Sequence, residues 1–172
     1  VKKININDLE KFDKIEFLFS IINSRFIKMK ILKKCKLGLN FHNGLLPKYR
    51  GLNSSSFAIL KNEKFHGATW HKLDDGIDTG KIAFQEKFKI NEKHDSQYLD
   101  YLSEYCGLKL FSKNIDKIIN NKINFRSNNY KKYIYLSHKH LIKYYNSGFI
   151  KKTYSLKKIL RFFSALSVSK NK

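Results

Sequence analysis

Scarcity narrows this sequence before any motif does. It has one proline, two cysteines, one tryptophan and one methionine, and only four of its 35 basic residues are arginines, at positions 25, 50, 126 and 161. Two cysteines, Cys35 and Cys106, are too few for the disulfide framework of a small secreted domain and lack zinc-ligand spacing. No apolar run approaches the roughly 18 residues of a membrane span. The start, Val1 to Asp8, has no apolar core of a secretory signal. These absences predict a cytoplasmic protein with no membrane partner and no metal. Prolines and glycines are too sparse for a flexible linker, and no internal repeat is visible. What the chain has in excess is lysine, giving a net charge of +21 over 172 residues. A basic field attracts phosphate, yet bidentate phosphate recognition favours arginine. The lysines are spread among many asparagines and isoleucines. A solvated basic surface and an anionic partner, tRNA or nucleotide, therefore both stay open. With 42% hydrophobic and 28% charged residues, the composition suits one globular domain with its own core.

The chemistry concentrates in residues 38–51, Gly-Leu-Asn-Phe-His-Asn-Gly-Leu-Leu-Pro-Lys-Tyr-Arg-Gly. Asn40 and His42 are two apart at the end of a short apolar run, so in a strand both side chains share a face. An amide donor beside an imidazole at a strand end suits stabilisation of an oxyanion. Downstream, Asp74-Asp75-Gly76-Ile77-Asp78-Thr79-Gly80 offers Asp78 as a third group. Taken singly, Asn40 reads as a strand-end residue and His42 as a satisfied core histidine. Asp74 and Asp75 read as solvated loop acids, His66 as a surface residue, and His71 as support for the Asp78 loop. His138 and His140, two apart with no acid or cysteine nearby, make poor metal ligands.

Around these motifs, Ile15–Ser20 reads as a buried strand, 21–26 as the loop leaving it, 27–34 as a short helix and 38–42 as the next strand. A helical crossover between two strands predicts parallel pairing. Ser54, Ser55 or Ser56 is expected to cap a brief helix through Leu60. Residues 67–71 read as a strand, and Ile82, Phe84, Phe88 and Ile90 alternate as in another. Asp95 or Ser96 looks like the N-cap of a helix carrying Leu99, Leu102, Cys106 and Leu110, with Ile115, Ile118 and Ile119 extending that face. Residues 120–129 are loop-like and 130–145 mixed. Leu156, Ile159, Leu160, Phe163 and Leu166 form a last amphipathic pattern before a tail at 167–172.

Together the motifs resemble the folate-dependent formyltransferase family, which includes methionyl-tRNA formyltransferases and amino-sugar or peptide-synthetase N-formyltransferases. The family element N-x-H-x-S-L-L-P is matched by Asn40, His42, Leu45, Leu46 and Pro47, and its Y/W-R-G by Tyr49, Arg50 and Gly51. Ala58 and Ile59, the block Gly67 to His71, the Asp78-Thr79-Gly80 element and Gln85 follow in order. The resemblance runs from about Ile15 to Phe111, with a fainter echo at Tyr154 to Leu166. The family's serine is Gly44 here, a change associated with sugar or peptide-synthetase members.

The resemblance implies an α/β chain with a partial Rossmann-like formyltransferase fold, a mostly parallel sheet and absent N-terminal strands, supplied by a missing segment or an oligomer partner. It implies a catalytic core over 1–126 and a C-terminal helical extension and tail over 127–172. The implied activity, part of one-carbon metabolism, moves a formyl group from 10-formyltetrahydrofolate, as co-substrate, to a primary amine. Acceptors implied are an amino sugar nucleotide, an aminoacyl carrier or methionyl-tRNA. In the implied mechanism Asn40 and a protonated His42 stabilise the oxyanion while Asp78 orients the imidazole and helps pass protons. Folate would sit between Ile22, Asn23 and Ser24 on one side and Asp74, Asp75 and Gly76 on the other, with Leu45 and Leu46 walling the cleft. Arg50 either binds an acceptor phosphate or caps its loop. Two further readings stay open: a hydrolase of the same folate, and an inactive remnant or basic nucleic-acid-binding module.

Overall fold

A computed structural model describes residues 6–23 and 25–146. Ser24, the expected helix around Leu156 to Leu166 and the expected tail lie outside the described residues. Four strands, β1 (Ile15–Ser20), β2 (Cys35–His42), β3 (Phe65–Lys72) and β4 (Ile82–Lys89), form one sheet in the order β1-β2-β3-β4. The helices are α1 (Met29–Leu32), α2 (Ser54–Leu60), α3 (Ser96–Lys113), α4 (Ile115–Ile119) and α5 (His138–Asn146).

The class is α/β, as expected, but the sheet is mixed rather than mostly parallel. Only β1 and β2 run parallel, through the crossover carrying α1. The other two pairings, β2 with β3 and β3 with β4, are antiparallel. The expected helix over 27–34 shortens to the four residues of α1.

Period-two alternation divides β2 between two environments. Leu37, Leu39 and Phe41 point into the core with Ala68, Trp70 and Ala83, beneath Cys106 and Leu110 of α3. Asn40 and His42 point to the other face. Helix α3 starts where expected: the Asp95 carboxylate accepts the Tyr98 N–H at 2.7 Å. It lies close to the sheet because Gly107 has no side chain. A Cβ there would come within 2.3 Å of the Phe41 ring, and the Trp70 indole N–H instead donates to the Gly107 carbonyl at 2.8 Å. The helix stops at Asn114 and does not run on through Ile119; of the three expected isoleucines only Ile118 is buried.

Two smaller expectations are corrected. The residue preceding α2 is Asn53, in the left-handed region at φ 60°, with no side-chain cap. Ser54 bonds instead to the Asn43 carbonyl at 2.5 Å. His66 is a buried residue, 1% exposed, rather than a surface one. Its Nε2 meets Ser55 Oγ at 3.0 Å and its ring packs edge-on against Phe88. Burial pushes its pKa down to about 4. Residues 127–136, the start of the expected C-terminal extension, lie against the sheet end. Asn128 Nδ2 donates to the Asp78 and Gly80 carbonyls, both at 3.0 Å, and Leu136 bridges to Gly51.

Candidate active site

Register assembles the site. Asn40 pairs with Ser20 of β1 and His71 of β3, and His42 pairs with Thr69. Thr69 in turn pairs with Gln85. Asn40, His42, Thr69, His71 and Gln85 thus share the sheet face opposite α3. The loop after β3 folds over this face and delivers Asp78, whose φ of 53° is unusual for a residue other than glycine.

Asp78 is the hub, with its carboxylate almost entirely buried. Oδ2 accepts the Gly51 N–H at 2.7 Å and lies 3.4 Å from His42 Nδ1. Oδ1 lies 3.2 Å from His71 Nε2 and accepts from Asn40 Nδ2 at 3.4 Å. Burial pushes the Asp78 pKa upward, but His42, His71 and the Gly51 N–H outweigh it and hold the carboxyl below its ordinary range. Asn40 Nδ2 also faces His71 Nε2 and the Phe41 carbonyl, each at 3.1 Å.

His42 is held from behind by the loop that follows it. Its Nε2 donates to the Tyr49 carbonyl at 3.0 Å, so in the neutral ring the lone pair is on Nδ1, facing Asp78. Burial, the largest influence, pushes the His42 pKa down; Asp78 pulls it back up and His71 opposes that pull. The sequence reading expected a charged His42; burial opposes that charge and the Asp78 carboxylate favours it. A proton accepted at Nδ1 would sit beside the carboxylate. A Cβ at Gly44 would lie 2.8 Å from His42 Nε2, so a larger residue here would need the loop or the ring to shift.

The loop between β2 and α2 is pinned at several points. Thr69 Oγ1 donates to the Gly44 carbonyl at 2.6 Å and accepts the Leu46 N–H at 3.3 Å. Gln85 Nε2 donates to the Leu46 carbonyl at 2.8 Å and to Thr69 Oγ1 at 2.9 Å.

The residues expected around a folate are only partly brought together. Ile22 and Asn23 follow the end of β1, beside Asn40. Ile22 is 71% exposed with φ 49°, and Asn23 closes a turn through Arg25. Asp74 organises its own loop, accepting from the Gly76 N–H at 3.2 Å and Thr79 Oγ1 at 2.7 Å, and Asp75 is exposed. Asp74 also lines a cavity of about 470 Å³ between α1, Gly38 and Leu73. That volume suits a small organic ligand, and Asn40 does not line the cavity. Leu46 is buried, and Leu45 lines a different cavity of about 410 Å³, with Lys48, Tyr49 and Lys61. The two leucines therefore do not wall the space beside Asp74.

Sequence reasoning gave His71 only a supporting place, although it touches both Asn40 and Asp78. Its signal was cross-strand register, which spacing along one strand does not reveal. The backbone partners, the Tyr49 carbonyl and Gly51 N–H, left no side-chain signature. Among the described residues there is no group of three or more His, Cys, Asp or Glu able to hold a metal, and no helix long and apolar enough to cross a membrane.

An amide, an imidazole and a buried carboxylate converge at one strand-end face of an α/β protein, a set able to stabilise an oxyanion and to move a proton. Comparison with known proteins makes the class specific. Residues 9–104 match the formyl transferase family model, and the chain belongs to that family. It is 36% identical over 126 residues to the bifunctional polymyxin resistance protein ArnA of Wigglesworthia glossinidia brevipalpis, covering 70% of this chain and 19% of that protein. It is 34% identical over 104 residues to the methionyl-tRNA formyltransferase of Thermodesulfovibrio yellowstonii, covering 60% of this chain and 34% of the enzyme. Among solved structures, the sugar 3N-formyltransferase WlaRD, crystallised with dTDP and 5-N-formyl-THF, superposes with a TM-score of 0.78 at 31% identity, covering 91% of this chain and 57% of that one. The Helicobacter canadensis N-formyltransferase, in complex with folinic acid and dTDP-3-aminofucose, gives 0.75 at 32% identity over 91% of this chain and 58% of its own. The chain spans about a third or less of the length of these two curated relatives.

Proposed function

We propose that this protein transfers a formyl group from 10-formyltetrahydrofolate to the primary amine of a small acceptor, an amino sugar nucleotide in preference to an aminoacyl carrier or methionyl-tRNA. The observation that carries this reading is the convergence of Asn40, His42 and Asp78 on one face. The co-substrate supplies an activated formyl carbon whose bond to nitrogen breaks as the bond to the acceptor amine forms. The turn at Ile22 and Asn23, just after the strand end that pairs with Asn40, and the loop Asp74 to Gly76 would be its two supports.

Asn40 Nδ2 donates to the formyl oxygen as negative charge develops there. His42 Nδ1 takes the proton that the attacking amine must lose, and Asp78 stabilises the resulting imidazolium. That proton then serves the departing nitrogen, so none is gained or lost overall. Tyr49 and Gly51, through their backbone, keep His42 and Asp78 aligned while this happens. Residues 1–126 act as the catalytic core and 127–172 as its helical extension.

Sugar acceptors are favoured because the solved structures similar over most of this chain include the sugar 3N-formyltransferase WlaRD, and Gly44 is a change associated with sugar or peptide-synthetase members. The test is release of tetrahydrofolate when purified protein is given 10-formyltetrahydrofolate and a nucleotide-linked amino sugar. Asn40→Ala should lower kcat by about 10²–10³, the typical effect of losing one oxyanion donor. Full activity in that variant would remove Asn40 from the mechanism. Formate appearing at the same rate with no amine present would replace the transferase reading with a hydrolase.

A further inference from the structure

We propose that Glu63, in the turn between α2 and β3, is a positioning residue for the reaction. It grips the Tyr49 hydroxyl, and through Tyr49 it fixes the carbonyl that decides which nitrogen of His42 carries the proton; this rests on the formyl-transfer reading above. The Tyr49 hydroxyl donates to Glu63 Oε1 at 2.5 Å, and Lys48 Nζ reaches the same oxygen at 2.6 Å. Glu63 is itself fixed, since its N–H donates to the Ala58 carbonyl of α2 at 2.9 Å. Burial pushes the Glu63 pKa up, but Lys48 and Tyr49 outweigh it and hold the group below its ordinary range. At neutral pH it therefore accepts both bonds as a carboxylate.

The backbone of Tyr49 explains why such a grip is needed. Its φ is 59°, in the left-handed region that a bulky residue adopts only where its surroundings hold it there. Tyr49 is 5% exposed, and its ring packs with Phe57, Leu136 and Leu141. The ammonium groups of Lys48 and Lys61 lie 5.2 and 5.3 Å from the ring centroid. Phenylalanine would serve that packing equally well. What the hydroxyl adds is a directional bond to a fixed point, which sets how the backbone turns around the ring. In an extended chain successive side chains diverge, whereas those of Lys48 and Tyr49 meet on a single oxygen.

That turn reaches the chemistry directly. A carbonyl can only accept, so the 3.0 Å contact with Tyr49 puts the proton of neutral His42 on Nε2 and leaves Nδ1 as the base beside Asp78. Were the carbonyl to swing away, Nε2 would lose its acceptor, and the tautomer with Nδ1–H donating to Asp78 would be favoured. That form has no lone pair at the nitrogen that must take the amine proton. Glu63 acts on this choice only through Tyr49.

The experiment compares Tyr49→Phe, Glu63→Ala and Glu63→Gln in the whole chain. It reads the ring nitrogens of His42 by NMR of nitrogen-labelled protein, and tetrahydrofolate release with a nucleotide-linked amino sugar. Above the imidazole pKa, wild-type His42 should be in the Nε2–H form. Tyr49→Phe and Glu63→Ala should shift it towards Nδ1–H and lower kcat by about 10- to 100-fold, the scale of a small misplacement, with KM for the folate unchanged. Glu63→Gln keeps an oxygen acceptor and should recover most of the rate. A pair that merely packed would change stability without moving the tautomer. The proposal is overturned by an unchanged tautomer and kcat in folded Tyr49→Phe, or by Glu63→Gln being as slow as Glu63→Ala. If Tyr49→Phe and Glu63→Ala do not fold, the wild-type protein still decides: His42 should be Nε2–H and the Tyr49 hydroxyl proton should exchange slowly, and failure of either overturns it. Failure of the formyl-transfer reading looks different, since no amine would yield tetrahydrofolate although the tautomer still follows Tyr49 and Glu63.

Discussion

Replacing Asp78 by asparagine keeps the volume of the side chain and removes its charge. In the native site the carboxylate lies within 3.4 Å of His42 and 3.2 Å of His71, and accepts the Gly51 N–H at 2.7 Å. An asparagine can keep the Gly51 bond, but its amide nitrogen then faces one of the two imidazoles. Each charge-assisted bond lost is worth about 1.5–3 kcal/mol, so stability at pH 7 should fall by roughly 1–3 kcal/mol after partial compensation. The folded-state pKa of Asp78 is depressed, so its contribution is present above the ordinary carboxyl value near 4 and fades as pH falls towards the folded value. The stability gap between wild type and variant, measured by urea unfolding, should therefore narrow below about pH 4. The kinetic effect should be larger. Without the carboxylate the imidazolium of His42 loses its stabilising partner, and tetrahydrofolate release should slow by about 10²–10⁴, the usual range for acid–base assistance. The acid limb of the rate profile should also move to lower pH, because Asp78 is what raises the His42 pKa against burial. A variant working within threefold of wild type would refute this account of the centre.

Two further outcomes follow from the same geometry. His42 must be neutral to accept a proton and burial lowers its pKa, so the acid limb of kcat in the wild type should have its midpoint below the ordinary imidazole value of about 6.5; a midpoint at or above pH 7 would contradict the assignment. In Gly107→Ala the new methyl would lie 2.3 Å from the Phe41 ring, and overpacking of about 1–3 kcal/mol should outweigh the roughly 1 kcal/mol gain in helix propensity. Urea unfolding followed through Trp70, the single tryptophan, reads the result, and a stabilised variant would show that α3 can move away from the sheet.

How much of this was legible beforehand depended on the kind of interaction. Asn40 and His42 announced a shared face through period two alone, and the Asp78-Thr79-Gly80 element stood out as their partner. His71 was visible as a residue but not as a neighbour of Asn40, because that contact comes from strand register. The antiparallel pairing of β2 and β3 was hidden by α2, which looks like the helix of a parallel crossover. His66 was misjudged because it sits among lysines and glutamate; its partners Ser55 and Phe88 come from other elements. Glu63 lay in a short turn between elements, so nothing in the sequence tied it to Tyr49.

The bonds made by Thr69 and Gln85 bear on how this site moves. Segments that carry reacting groups often belong to the least stable parts of a fold and open locally. Here the stretch from Gly44 to Leu46 is tied through buried Thr69 and half-buried Gln85 to the adjacent strands β3 and β4. Its Leu46 amide should exchange with solvent on the timescale of β3 itself, in one cooperative unit with the sheet. Access for substrates would then come from motion of the exposed turn at Ile21 to Asn23, leaving the centre itself closed and rigid through the catalytic cycle.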